Sequence, residues 1–199
     1  MIGELRVPMR DPDFAPFLQK ARELKPDALY VMLPAGPGAG LIKQFQERGM
    51  DKAGIRLIAH GAVSDDDNLN MTGDAALDLV SADCYSAAHP SEMNKKFTAD
   101  FARPINGGRP NYFGVAGYDG MHVVYEAIKA TKGTGDGDAL LAAMKGQSFE
   151  SPRGPVALDR QTRDLTQNIY LRKVTKVNGQ SWNIEFDTVK QVSNSGLKE

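Results

Sequence analysis

The stretch that decides the fold is Ala28-Leu29-Tyr30-Val31-Met32-Leu33, which is followed directly by Pro34-Ala35-Gly36. Six consecutive apolar residues closed by a proline predict a short strand that is buried on both faces, as in the centre of a parallel sheet. The glycine-rich segment after it predicts a turn into a helix, because Pro37 suits a first helical turn and Gly49 suits a helix end. This stretch therefore predicts a strand, a close turn and a helix.

The same alternation continues on both sides of this stretch. Apolar residues at helical spacing predict a helix over Phe14–Leu24, and further apolar runs predict strands over 55–59 and 77–82 with a short helix around 66–70 between them. Strands that alternate with helices at this spacing are typical of parallel βαβ units. Residues 1 to about 85 are therefore predicted to form one α/β layer structure.

The rest of the chain has a different pattern. Helical spacing dominates 94–105, 118–131 and 138–145, and the tail contains strand-like runs over 154–158, 168–177 and 182–186, with the turn Asn178-Gly179 before the last. The predicted fold class is α/β: a parallel βαβ sheet, a helical segment and a C-terminal antiparallel strand segment. Three such regimes in 199 residues indicate the later part of a longer protein.

The composition argues against some classes of binding partner. Lys and Arg number 24 and Asp and Glu number 25, without long blocks of one sign, so neither nucleic acid nor an anionic membrane is an expected partner. Cys84 is the only cysteine, and the first eight residues contain no signal peptide pattern. No apolar run approaches the roughly 18 residues that a membrane span needs. A small molecule or another protein is the expected partner.

Ligands of open parallel sheets bind outside the carboxyl ends of the strands, where loops and helix N-termini present backbone N–H groups. In this chain those ends are the small-residue loops at Ala35 and Gly36 and at His60, Gly61 and Ala62. Small residues let a ligand approach the backbone closely. These five residues are the first candidates for ligand contact, although His60 also suits a structural role.

Other motifs do not reach the pattern of a catalytic or metal site. The run 36–40 lacks the Gly-Lys-Ser/Thr ending of a phosphate loop, and Asp65-Asp66-Asp67 lacks the spacing of a calcium loop, so helix entry and helix capping are preferred. His60, His89 and His122 are too far apart in sequence to predict a zinc site. We therefore expect a binding protein that is not an enzyme and needs no cofactor.

Two aromatic residues are further candidates, because flat side chains offer a large contact area at low entropic cost. Tyr85 follows the last predicted strand of the layer structure, and Phe113 precedes the helix expected to start near Val115. Core packing is the alternative for both residues.

Six segments carry a resemblance to a known family. They are Asp11-Pro12-Asp13-Phe14, Lys25-Pro26-Asp27-Ala28, Gly73-Asp74-Ala75-Ala76, Tyr85-Ser86-Ala87-Ala88-His89, Gly117-Tyr118-Asp119-Gly120-Met121 and Ser151-Pro152-Arg153-Gly154-Pro155. With these segments the chain resembles the periplasmic solute-binding proteins of branched-chain amino-acid type ABC transporters, the leucine/isoleucine/valine-binding class with the type I periplasmic-binding fold.

The resemblance implies two lobes that close on a ligand like a hinge. It assigns 1–88 to the second lobe, 89–149 to the helices of the first lobe and 150–199 to a return into the second lobe. On this resemblance, the given sequence is expected to lack the amino-terminal half of such a protein, which supplies much of the first lobe. The chain is therefore expected to keep one wall of the ligand site and to bind weakly by itself.

The resemblance also places the ligand contacts. The family's aromatic contact falls near Ala35, the acidic partner of a ligand's amino group falls at Gly61 or Ala62, and Phe113 matches an apolar contact from the other lobe. Without that acidic residue, an ammonium would be buried with no counter-charge, which is costly. The predicted solute is thus a small organic acid of aromatic type, with an amino acid as the alternative.

The resemblance also implies a periplasmic location and an ABC-transporter permease as the partner in the membrane. A ligand-sensing module of a receptor or regulator with the same fold is the alternative function, and a small α/β enzyme is a third. A further partner that we expect is a second copy of the fragment, in a homodimer that covers the exposed interlobe surface.

Overall fold

The computed structural model describes residues 1–8, 10, 12–133 and 135–193, which form two compact units. The N-terminal unit contains Met1–Asp83 and Leu171–Phe186, and the central unit contains Cys84–Tyr170 and the residues from Asp187 on. Asp11 of the first sequence motif and residues 194–199 of the predicted tail lie outside the described residues. These units divide the chain differently from the three predicted segments, and the assignment of segments to lobes stays a prediction.

The N-terminal unit is built on parallel strands with helices between them. Its elements are α1 (Ala15–Glu23), β1 (Ala28–Val31), α2 (Ala35–Glu47), β2 (Arg56–His60), α3 (Leu69–Thr72) and β3 (Val80–Asp83). β1 pairs with β2, and β2 pairs with β3, both in parallel. The predicted βαβ pattern is confirmed, and the carboxyl ends of these three strands lie at one edge of the sheet.

The core of this unit is made by the helix faces that the sequence spacing predicts. Leu18 and Ala21 of α1 and Ile42 and Phe45 of α2 are buried against Val31 of β1. Burial of an apolar side chain of this size contributes about 1.5–3 kcal/mol, so this cluster is a principal source of stability for the unit. α2 begins at Ala35, so Pro37 lies in its first turn as predicted. The helix ends at Glu47, two residues before Gly49, whose φ is 61°.

β1 departs from the prediction in its burial. Tyr30 is 62% exposed and Met32 is 71% exposed, so the expectation of a central strand buried on both faces is wrong for this chain. The reason is the position of β1, which pairs only with β2 among the described strands and covers the core with one face. A cavity of about 530 Å³, lined by apolar residues such as Leu5 and Leu29, lies beside it.

The central unit contains the predicted helices and one strand that the prediction missed. Its elements are α4 (Glu92–Ala102), α5 (Tyr112–Ala130), α6 (Gly137–Met144), β4 (Ser148–Ser151) and β5 (Gly154–Leu158). β4 is the missed strand, and it pairs with β5 in antiparallel fashion. None of the described helices is long and apolar enough to cross a membrane.

α5 begins earlier than the helical spacing predicts. The Asn111 side chain accepts hydrogen bonds from the backbone N–H groups of Phe113 and Gly114, both at 3.1 Å, and so starts the helix at Tyr112. An asparagine at this position satisfies N–H groups that the helix itself leaves without partners. The capping residue, and not the apolar spacing, sets this boundary.

Two long strands, β6 (Leu165–Val177) and β7 (Gln180–Val192), follow β5. β5 pairs with the start of β6 in the central unit, whereas the later part of β6 belongs to the N-terminal unit, where it pairs with β3. β7 pairs with β6. The antiparallel pairing of β4 with β5 and of β5 with β6 confirms the predicted antiparallel strand segment.

The first turn of α2 packs directly on the turn that follows β2. A Cβ added at Gly38 would lie 2.6 Å from the carbonyl oxygen of Val63 and 2.9 Å from its Cα. Only a residue without a side chain permits this backbone contact. Gly38 therefore brings the carboxyl-end loops of β1 and β2 together.

We predict that Gly38→Ala lowers the free energy of unfolding by about 1–3 kcal/mol, because backbone atoms must move apart to admit the methyl group. Gly40→Ala in the same helix is the matched control, since its Cβ would meet only Phe14 at an ordinary 3.7 Å. That control is expected to gain up to about 1 kcal/mol from helix propensity. Urea unfolding of both variants checks this, and equal effects would contradict it.

Candidate functional site

The first wall of the candidate site is the start of α2, at the carboxyl end of β1. Pro34 precedes the helix, and no described side chain caps it. The amides of Ala35 and Gly36 lie in the first turn of α2, where the backbone dipoles favour negative charge. A Cβ added at Gly36 would meet nothing within 4 Å, so this position is open.

The second wall is the short 3₁₀ turn Gly61–Ser64, at the carboxyl end of β2. His60 precedes this turn, and its Nδ1 accepts a hydrogen bond of 3.1 Å from the backbone N–H of Ala62. Because Nδ1 is the acceptor, the neutral ring holds its proton on Nε2. His60 thus has a structural role, and its contact with a ligand stays a prediction.

Gly61 is held from behind by two charged side chains. A Cβ at this position would collide with Asp83 Oδ2 and would lie 2.5 Å from Arg172 Nη2. The same guanidinium donates a hydrogen bond of 3.2 Å to the Gly61 carbonyl oxygen. The turn after β2 therefore follows a path that only glycine can take at its first residue.

Arg172 belongs to a buried polar network. Its guanidinium lies 3.5 Å from the Asp83 carboxylate and 3.8 Å from the Asp66 carboxylate, and it donates to the Ser81 hydroxyl at 3.2 Å. All three charged residues are buried. A buried guanidinium needs such counter-charges and acceptors, since desolvation alone would be costly.

Asn183 connects this network to β7. Its amide nitrogen donates to the Ser64 carbonyl oxygen at 2.8 Å and to Asp66 at 2.9 Å. The Ser64 hydroxyl lies 3.2 Å from the Asn183 carbonyl oxygen and 3.3 Å from the Ser81 hydroxyl. Both ends of the 3₁₀ turn are therefore fixed by side chains from other strands.

Asp65 follows the 3₁₀ turn and is buried. Burial first, and then the negative charge of Asp67, raises the pKa of Asp65 to about 7. Within the described ranges, no group of three or more His, Cys, Asp or Glu side chains could hold a metal ion. Asp65 and Asp66 of the acidic run are buried beside the turn, whereas Asp67 is exposed.

The two aromatic candidates lie in the central unit and differ in exposure. Tyr85 is 1% exposed, donates from its hydroxyl to Asn94 at 2.9 Å and packs edge-on against Phe97. This geometry matches the core-packing alternative. Phe113 is 67% exposed and lies beside the ring of Tyr112, with the centroids 4.1 Å apart. Their contacts with a ligand stay predictions.

Two of the six sequence motifs, 117–121 and 151–155, are in contact through a buried ion pair. Arg153 and Asp119 form a buried ion pair with Nη2 and Oδ2 2.6 Å apart, and Arg153 also donates to Gln167 at 2.8 Å. The Tyr170 hydroxyl donates to the Arg153 carbonyl oxygen at 2.6 Å. This cluster joins α5 to the β4–β5 hairpin within the central unit.

The candidate site contains residues that the sequence reasoning did not name. Arg172 has the same strand phase as the buried Tyr170 and Val174, so alternation along β6 could have placed its charge in the interior. Gly38 was seen as part of a helix entry, but nothing in the sequence identified Val63 as its neighbour. Ala35, Gly36, His60, Gly61 and Ala62 all lie in the N-terminal unit, as predicted from the strand ends.

A comparison with protein families decides the classification. The model for the family described as periplasmic binding protein matches residues 1–180 of this chain. The chain belongs to this family. The resemblance inferred from the six sequence segments and the α/β fold class are thereby confirmed.

Three relatives describe the position of the chain within the family. A Leu/Ile/Val-binding protein homolog 6 of Brucella abortus is 35% identical over 201 residues, which cover all of this chain and 52% of that protein. A solute-binding protein of an ABC transporter from Rhodopseudomonas palustris BisB5, in complex with 3,4-dihydroxybenzoic acid, is 55% identical with a TM-score of 0.91. The alignment covers 97% of this chain and 53% of that one.

A solute-binding protein of an ABC transporter from Rhodopseudomonas palustris HaA2, in complex with p-hydroxybenzoic acid, is 35% identical with a TM-score of 0.92. The alignment covers 99% of this chain and 54% of that one. The chain therefore spans about half the length of the relatives that it matches.

The buried carboxyl of Asp65 predicts a pH dependence of stability. Between about pH 4 and pH 7 the folded chain holds a proton that the unfolded chain has released, so the free energy of unfolding falls as the pH rises. The loss is on the order of 1–4 kcal/mol, and Asp65→Asn should remove it. Urea unfolding at several pH values measures the effect.

Asp78→Asn is the control for this measurement, because Asp78 is exposed in the same unit and has a positive φ that asparagine tolerates. The free energy of unfolding of Asp78→Asn should change with pH in the same way as that of the unaltered chain. A profile of Asp65→Asn with the same slope as that of the unaltered chain would contradict the assignment.

Proposed function

We propose that this chain is about half of an extracytoplasmic solute-binding protein of an ABC importer and that it forms one wall of a site for a small aromatic carboxylate. The observation that carries the proposal is the wall at the end of β2, where Gly61 and Ala62 offer no acidic side chain. An amino-acid ligand would bring an ammonium that needs such a partner.

The nearest carboxylates do not fill that role. Asp83 lies directly behind Gly61. Asp83 and Asp66 lie 3.5 Å and 3.8 Å from the Arg172 guanidinium. Carboxylates engaged with a buried cation are poor partners for a second one. The open position at Gly36 and the amides at the start of α2 instead suit a flat, negatively charged solute.

The relatives support the same class of solute. The protein that shares 55% identity was solved with 3,4-dihydroxybenzoic acid, and one that shares 35% identity was solved with p-hydroxybenzoic acid. Both are solute-binding proteins of ABC transporters. A periplasmic location, a permease as partner and a role without catalysis follow for the whole protein on this proposal.

Calorimetry tests the solute class. The test protein is a chimera in which the half of the BisB5 relative that this chain does not match completes it. We expect micromolar or tighter binding of 3,4-dihydroxybenzoate, no detectable binding of leucine, and weak binding by the 199-residue chain alone. Tight leucine binding without benzoate binding would refute the proposal.

A charge variant tests whether the ligand binds at the predicted wall. Gly36→Asp puts a carboxylate into open space at the start of α2, where it does not harm the helix. Repulsion between like charges should weaken 3,4-dihydroxybenzoate binding about tenfold. Gly36→Asn has the same shape without the charge and is the control. Equal affinities of the two variants would place the ligand elsewhere.

The α5 surface supports a further part of the proposal, a homodimer of the isolated chain. Tyr118, Met121, Tyr125 and Ile128 form an exposed apolar stripe at helical spacing. A second copy of the chain would cover this stripe. Sedimentation should show a concentration-dependent dimer that Tyr125→Glu weakens, whereas a monomer at high concentration would exclude it.

A further inference from the structure

Arg172 occupies a special place along the chain as well as in the network. β6 passes from the central unit to the N-terminal unit between Tyr170 and Leu171, so Arg172 is the second residue after that crossing. Asp83 is the last residue before the chain leaves the N-terminal unit. The buried ion pair between Arg172 and Asp83 therefore connects two chain segments of the N-terminal unit, each close to a point where the chain passes from one unit to the other.

The same guanidinium holds the candidate ligand wall. Its Nη2 donates to the Gly61 carbonyl oxygen and to Ser81, both at 3.2 Å, and it fills space that a side chain at position 61 would need. Hydrogen bonds from a charged donor are stronger than those between neutral groups. The guanidinium has several donors in one rigid plane, so it can contact the carbonyl, the hydroxyl and the carboxylates together, which a lysine cannot do.

We propose that Arg172 is a positioning residue for solute binding: it fixes the main chain of the turn Gly61–Ser64 and links that wall to the strand ends at two chain crossings. The proposal rests on the proposed function of this site. Arg172 does not touch the solute, and it acts through the Gly61 carbonyl. A residue that only stabilised the fold would affect the whole unit equally.

Hydrogen exchange of the 199-residue chain, measured by NMR, separates these two roles. In Arg172→Lys, exchange of the Ala62 amide should accelerate about tenfold more than exchange of the Leu18 and Ala21 amides in α1. Arg153→Lys is the matched control, because Arg153 is equally buried in an ion pair but lies in the other unit. It should cause no selective change at Ala62.

A milder variant covers the case in which Arg172→Lys does not fold. Ser81→Ala removes one acceptor of the guanidinium and its link to Ser64, and it should accelerate exchange at Ala62 by a smaller but still selective factor. Equal acceleration at Ala62 and in α1, in whichever of the two variants folds, would overturn the positioning role.

Binding to the chimera tests the consequence for the solute. Arg172→Lys should weaken 3,4-dihydroxybenzoate binding about tenfold or more, whereas Arg153→Lys should change it less than about twofold. If the unaltered chimera binds no benzoate, the proposed function fails, while the exchange data still decide whether Arg172 holds the turn. Unchanged affinity in Arg172→Lys beside a loosened turn would overturn the role in solute binding.

Discussion

A positive charge in the interior of the N-terminal unit is the constraint on which the candidate site depends. Arg172 is 2% exposed, and it is stabilised there by Asp83, Asp66, Ser81 and the Gly61 carbonyl. Since a buried charge without partners is costly, the turn after β2 and the end of β3 must keep the positions that surround it. This requirement, together with the Gly38–Val63 contact, arranges the loops at the strand ends.

The sequence predicted the order of strands and helices because apolar spacing reports which side chains are buried. It was wrong about β1, because a run of apolar residues predicts burial on both faces, whereas burial depends on what lies beside the strand. Tyr30 and Met32 are exposed although they continue the apolar run. The start of α5 was missed because the Asn111 cap, and not the spacing, defines it.

The candidate site was only partly predictable. Strand ends followed by small residues pointed to Gly36 and Gly61, since the rule for open parallel sheets needs only the element order. The reason for glycine at position 61 needed the structure, because Arg172 is 111 residues away along the chain. Long-range pairs of this kind leave a weak local signal, such as a charged residue in phase with buried neighbours on β6.

The central claim is that the strand ends of the N-terminal unit form a wall for an aromatic carboxylate. Titration of the ¹⁵N-labelled chimera with 3,4-dihydroxybenzoate, followed by amide chemical shifts, tests it most directly. The account predicts that within this chain's N-terminal unit the largest shifts occur at Gly36, Gly61 and Ala62. Saturable binding that leaves these three amides unchanged would contradict it.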